Sequence, residues 1–267
     1  MTIRMQELAE EVLRGVQQGS DRTGVVHVWR GQGDTAWPLY PGIYRRLLAI
    51  KSAAEVTEEL VRKYEIDMLC EANGFGYYTR GRLPTLVRVQ HYGGATRFLD
   101  VTRDPLTALW FATDPALTSK DGAVYHFQVP LECLLAEGTM DTLDEVDEIA
   151  QREGAALLFP KPDEERVAAQ RAGFLVPSIG ETLAATAPFA KGAYGFDVSK
   201  VVVPGETKAT LRRHLETSAG ISARSLFPGV AGYAMAQSVG EPFARGEDEL
   251  HDGSYGIFPG RGAPRVP

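Results

Sequence analysis

The chain has two cysteines, Cys70 and Cys133, and neither stands in a Cys-x-x-Cys or Cys/His cluster. A zinc site and a disulfide framework are therefore not expected, and this cysteine usage suits a reducing cytoplasm. Basic residues do not dominate: 28 Lys and Arg face 35 Asp and Glu, for a net charge of −7. That balance disfavours a protein that coats nucleic acid by bulk charge, while leaving room for a local basic patch. No stretch approaches the ~20 apolar residues of a membrane span. The opening MTIRMQELAEEVLRG is amphipathic and acidic, unlike a secretory signal. Walker loops, nucleophile elbows and metal-ligand motifs are missing, so kinase, serine-hydrolase and metalloenzyme readings find no support.

What is present is enough apolar material, 44% of 267 residues, for a sizeable core. Residues 1–24 read as an N-terminal helix, with Leu8, Val12 and Val16 on one face. Residues 25–238 read as the main domain, and 239–267, rich in Gly, Pro and charge, as a flexible tail. Within the domain, strands are expected at Val25–Trp29, Ala95–Thr102, Gly122–Val129, Phe174–Val176 and Tyr194–Pro204. Helices are expected over Leu47–Cys70, Leu83–His91 and Glu206–Thr217, with a further short one capped by Asp104 and started by Pro105. The stretch 130–165 reads as helical or irregular. Strands and helices mix without regular alternation, which points to an α+β fold rather than a doubly wound sheet.

Three segments carry more polar residues than their apolar surroundings require. In the first, a hydrophobic strand stops at Arg30, followed by Gly31 and Gln32. Gly31, Gly33 and Ala36 fit a dinucleotide-binding turn, but that turn must open a helix. Pro38 and Pro41 follow instead and oppose one. A solvated turn, or an arginine gripping an anionic ligand, are the remaining readings of Arg30. The second segment runs from Gln90 to Ala112. It gathers Gln90, His91 and Tyr92 before a double glycine, then Arg97, Asp100 and Thr102. Asp100 and Thr102 share one strand face. Asp100 is either a carboxylate in a buried ion pair with Arg97 or Arg103, or a functional acid. His91 is either a hydrogen-bonded residue at a helix end or a contact for ribose or phosphate. The third segment, AAQRAGF, contains Gln170.

The stretches WRGQ, LYPGIYRR, QHYGGATRFLDVTRDPLTALWFA, RVAAQRAGFLVP and SLFPGVAGYA resemble, in order, the successive motifs of the FRG domain family. The name comes from a Phe-Arg-Gly triplet, and Trp29 replaces the phenylalanine here. The resemblance spans about residues 25–235. More distantly, FLDVT followed by RDPLTALWFA is similar to the second motif of ADP-ribosyltransferases, in which a strand ending in hydroxyl residues precedes a helix.

That resemblance implies a central antiparallel or mixed split sheet with flanking helices and an ADP-ribosyltransferase-like core. It implies NAD as cofactor. Arg30, Thr102 and Gln170 would be the catalytic set. Gly31, Gln32, Tyr44, His91, Tyr92, Arg97, Asp100 and Phe111 would complete the NAD-binding residues. Such transferases place a glutamate on a late strand, where this chain offers Gln170. Glutamine hydrogen-bonds a ribose but supplies no negative charge. Asp100 is the alternative source of that charge. The implied reaction moves ADP-ribose from NAD to a macromolecule, protein or nucleic acid, as in toxin or phage-defence systems, with plain NAD hydrolysis as a variant. A non-catalytic module for a nucleotide or for ADP-ribose is the second reading. A nucleic-acid-binding domain using Arg80, Arg82, Arg88, Arg97 and Arg103 is the third.

Overall fold

A computed structural model describes residues 2–17, 24–78, 81–135, 143–161, 165–185, 197–230 and 234. The expected tail from 239 onward and Arg80 lie outside these residues. In chain order the elements are α1 (Thr2–Gln17), β1 (Val25–Gln32), α2 (Gly42–Leu48), α3 (Glu58–Gly74) and α4 (Arg82–His91). Next come β2 (Leu99–Thr102), α5 (Pro105–Ala112), β3 (Gly122–Pro130), α6 (Leu143–Glu153) and β4 (Ala155–Leu158). The last are α7 (Glu165–Gln170), β5 (Ala172–Pro177), β6 (Asp197–Val203), α8 (Lys208–Ser218) and α9 (Ala223–Leu226). The fold is α+β, with one six-stranded open sheet in the order β4-β5-β2-β1-β3-β6. Every ladder among its described strands is antiparallel, the antiparallel form of the sheet that the sequence allowed.

The sheet is narrow at its middle. β1 pairs with β3 along its whole length, from Val25↔Pro130 to Gln32↔Ala123. Across the centre, β1 and β2 share a single registered pair, Trp29↔Thr102. Beyond that seam, β2 pairs with β5 over all of Leu99–Thr102. Helices cover the two halves separately. Val12, Val16, Leu109, Leu211 and Leu215 join Val203 under α1, α5 and α8. Leu69, Leu83, Leu86 and Val146 pack with Phe98 and Phe174 under α3, α4 and α6. Val28, Leu99, Val101, Phe127 and Leu175 form a third cluster that crosses the seam. Each such fully buried side chain stabilises the fold by roughly 1.5–3 kcal/mol.

Several expectations change. The first strand does not stop at Arg30: Arg30 pairs with Tyr125 and Gly31 with Val124, so β1 carries the triplet inside the ladder. With Gly31 extended and no helix between Gln32 and Gly42, the dinucleotide-turn reading of Gly31 and Gly33 is excluded. The helix expected over Leu47–Cys70 is two helices. Between them Glu55 accepts from the Ser52 amide and hydroxyl, and Thr57 caps α3 by accepting from the Leu60 amide. Such side-chain bonds to local backbone compete with helix continuation. The strand expected from Ala95 begins only at Leu99. Thr96 accepts from the Phe98 amide, and Arg97 turns away into a buried ion cluster. The stretch 130–165 hides β4, a short apolar run after Gly154, which takes a positive φ of 86°. As expected, Asp104 caps α5 by accepting from the Leu106 amide, with Pro105 in the first turn.

The helix α5 lies against β1 at backbone distance. A Cβ placed on Gly31 would stand 1.8 Å from the Ala108 carbonyl oxygen, and one on Gly122 2.3 Å from that of Ala112. No side chain fits either place, so the helix seats directly on β1 and β3. Among the described residues no helix is long and apolar enough to cross a membrane.

Gly31→Ala must separate α5 from β1, with an expected stability loss of about 3 kcal/mol or more. Gly74→Ala, which opens onto free space at the end of α3, serves as the control. Chemical denaturation of both variants checks this, and an unchanged midpoint for Gly31→Ala would refute the tight seat.

Candidate functional site

The two halves of the sheet leave a cleft of about 660 Å³ at the seam. Its floor is Trp29–Gly31 of β1 and Leu99–Thr102 of β2. One wall is the end of α4 with the Gly93-Gly94-Ala95 turn, where Gly93 adopts a φ of 85° that closes the helix. The other walls come from α2, α5, α7 and the start of β5. The seam makes the cleft possible, because two strands that barely pair leave side chains exposed between them.

Arg30 sits at the centre, its side chain 16% exposed. Its Nη1 donates to the Asp100 carbonyl at 2.8 Å and lies 3.8 Å from the Asp100 carboxylate. Its Nε donates to Gln32 Oε1 at 3.2 Å. Gln32 is buried behind it, and its own amide donates to the Trp37 carbonyl at 3.0 Å. That second bond fixes which end of the amide faces the arginine. Burial pushes the Arg30 pKa down, Asp100 pushes it up and Arg45 pushes it down again. A guanidinium remains charged under such shifts.

The cleft brings together Arg30, Gly31, His91, Asp100, Thr102, Phe111 and Gln170 of the residues singled out in the sequence. Their states differ. The Thr102 hydroxyl donates to the Gln170 carbonyl at 2.6 Å and accepts from the Asp104 amide at 3.0 Å, so its proton is committed to the fold. The Gln170 amide donates to the Leu226 carbonyl at 3.0 Å, tying α7 to α9. His91 is buried, its ring tilted against Phe174 at 5.9 Å, and its carbonyl accepts from Arg166. Asp100 is exposed and receives the Gln90 amide at 2.9 Å. Its cationic neighbour is Arg30, neither Arg97 nor Arg103.

Four of the residues do not line the cleft. Gln32 backs Arg30 instead. Tyr44 is fully buried under α2 and donates its hydroxyl to the Pro177 carbonyl at 3.1 Å. Tyr92 is 81% exposed, because the turn after α4 directs it to solvent. Arg97 is a structural residue: it is 2% exposed and bound to Glu65, to Asp147 at 2.6 Å and to Glu58 at 3.3 Å. Burial opposes its charge, yet these three carboxylates together raise its pKa. Of the arginines expected in a basic patch, three have partners within the fold. Arg97 is internal, Arg82 pairs with Asp144, and Arg103 stacks on Phe159 at 3.5 Å from the ring centre.

Sequence reasoning missed three lining arginines. Arg45 and Arg46 project from α2, and Arg166 from α7. Arg166 also stacks on Phe227 at 4.5 Å. The doublet in LYPGIYRR was visible, but only the seam reveals that a short helix turns it toward Arg30. Among the described residues the lining therefore holds four guanidinia and one carboxylate, Asp100. Such an excess of positive charge suits an anion. Trp29, also in the lining, stacks on His126 at 4.8 Å, and His27 Nδ1 lies 2.8 Å from His126 Nε2. Burial, reinforced by His27, pushes the His126 pKa down to about 4.

Residues 26–121 match the family model of the FRG domain. The matched segment includes Arg30, Gly31, Gln32, His91, Asp100, Thr102 and Phe111 and stops before Gln170. No curated protein matches the chain, and no solved structure does.

A histidine with a depressed folded-state pKa binds fewer protons when folded. Its contribution to stability is thus complete above about pH 6.5 and is lost as pH falls toward 4. Between pH 7 and 4 the wild type should lose roughly 2 kcal/mol more than His126→Phe. Urea unfolding of both proteins across that range checks it, and parallel curves would refute the assignment to His126.

Proposed function

With the FRG domain of residues 26–121 as the premise, we propose that the seam cleft binds NAD and transfers its ADP-ribose, to a macromolecule or to water. The observation that carries this reading is the convergence of Arg30, Arg45, Arg46 and Arg166 on one cleft where, among the described residues, Asp100 is the one lining carboxylate. A pyrophosphate needs such a cationic grip, and arginine offers it a planar fork of donors. The cleft volume lies within the range of nucleotide-sized sites. Trp29 and Phe111 supply flat apolar walls for a base or nicotinamide ring. The narrow seam between β1 and β2 is what the split sheet of an ADP-ribosyltransferase-like core calls for, with Arg30 on the first strand. A toxin or phage-defence role, with modification of a protein or a nucleic acid, belongs to the same proposal.

A second reading, a non-catalytic module that holds a nucleotide or ADP-ribose, draws on a different observation. The Thr102 hydroxyl and the Gln170 amide are both engaged within the fold. The Thr102 hydroxyl then has no donor left for a ribose, and the Gln170 amide has spent one of its two N–H groups on the fold. Cleavage under the first reading falls to the remaining groups.

Calorimetric titration with NAD and with ADP-ribose, beside an assay of nicotinamide release, separates the two. The wild type should bind NAD and release nicotinamide. Arg30→Ala should weaken binding at least tenfold, the loss of one charged hydrogen-bonding group being worth about 1.5–3 kcal/mol. Binding without turnover would favour the module. Absence of binding would remove both readings.

A further inference from the structure

Gln90 touches the cleft with one end of its amide and is held at the other. Its Oε1 accepts the Thr96 hydroxyl at 2.6 Å, and its Nε2 donates to Asp100 Oδ2 at 2.9 Å. Thr96 is fully buried, and its oxygen also accepts from the Phe98 amide at 3.1 Å. The direction of this chain follows from its last member. A carboxylate only accepts, so the NH₂ end of the Gln90 amide faces Asp100. The oxygen end is left for Thr96, whose hydroxyl donates its single proton there. The amide cannot turn over without breaking a buried bond. The carboxylate is steered from a second side by Arg30, which binds the carbonyl of the same residue. A carboxylate 58% exposed would ordinarily rotate freely in water. This one is aimed, across the Gly93-Gly94 turn, by a relay that runs from Thr96, ahead of β2, to the end of α4.

We propose that Asp100 is the acidic group of the reaction and that Gln90, anchored by Thr96, is its positioning residue. This rests on the reading of the cleft as an NAD site. When the bond between ribose C1′ and the nicotinamide nitrogen breaks, its electron pair leaves with neutral nicotinamide, and C1′ gains oxocarbenium character. The Asp100 carboxylate stabilises that positive charge. Water, or an acceptor hydroxyl, then bonds to C1′ through oxygen. Its proton passes to the Asp100 carboxylate and on to solvent, giving ADP-ribose or its adduct, nicotinamide and one proton. The late-strand glutamate that the resemblance calls for is thus replaced by an acid on β2, which Phe174 of β5 faces in the ladder.

The test measures NAD affinity by calorimetry, kcat and KM for nicotinamide release, and the thermal midpoint of each protein. The variants are Asp100→Asn, Gln90→Leu, Thr96→Val and Thr96→Ser. Asp100→Asn, which keeps the shape, should bind NAD within about threefold of wild type and turn over at least about a hundredfold slower. Gln90→Leu and Thr96→Val should lower kcat about tenfold with KM unchanged, whereas Thr96→Ser, which keeps the hydroxyl, should restore it. If the wild type turns over and Asp100→Asn matches it, this assignment fails while the NAD site stands. If Gln90→Leu raises KM and leaves kcat intact, the positioning role fails. A wild type that binds NAD without turnover overturns the assignment of Asp100. One that does not bind NAD overturns the site as well.

Discussion

A helix resting directly on a strand is the constraint from which the rest of this structure follows. The backbone of α5 reaches β1 where Gly31 leaves no side chain between them, and Gly122 repeats the arrangement on β3. With α5 seated there, the chain leaving β2 must turn at once, and Asp104 caps the helix within two residues of Thr102. The Thr102 hydroxyl binds that turn and the end of α7 together. The seat of α5 thereby fixes the level at which β2, α7 and β5 meet β1. Arg30 follows Trp29, the residue in register with Thr102 across the seam, and precedes Gly31. A glycine for close packing and an arginine for charge adjoin because one location serves both needs.

The arginines of this chain show how the same side chain takes opposite roles. Arg97 is wrapped by Glu58, Glu65 and Asp147 and ties the segment before β2 to α3 and α6. Breaking one partner there would strand a buried charge, a cost of several kcal/mol. Arg30 is only partly compensated: one carboxylate lies 3.8 Å away while Arg45 opposes it. The first cluster closes its charge account within the fold, and the second leaves an excess positive potential facing a cavity. That difference separates a structural guanidinium from one available to a ligand.

The cleft follows from weak strand pairing. A fully laddered sheet would bury the space between β1 and β2 under paired backbone. Here the two half-sheets have separate helical covers and share only one of the hydrophobic clusters, the one containing Val28 and Leu99. Rigid elements on both sides hold polar groups at the gap, so they are positioned without being sealed in. Hydrogen bonds with determined direction, such as those of Gln32 and Gln90, further restrict the groups they contact.

Local chemistry made part of this legible in the sequence. The cap at Asp104, the strands of alternating or continuous β-branched residues and the mixed α+β order depend on neighbours a few positions apart. The central polar block also drew notice, because polar residues amid apolar ones call for an explanation. Arg97 and Tyr44 lay beyond that reach, since their partners Asp147 and Pro177 come from distant elements. Arg45, Arg46 and Arg166 were equally hidden, for an arginine on a short helix looks solvated until another half-sheet faces it. The strand β4 is only Ala155–Leu158, too short for periodicity to reveal. The sequence by itself determined which residues carry charge, donors and backbone freedom. Only the folded chain decided which of those charges are enclosed in the core and which gather around one cavity, because charges meet by distance in space and not along the chain.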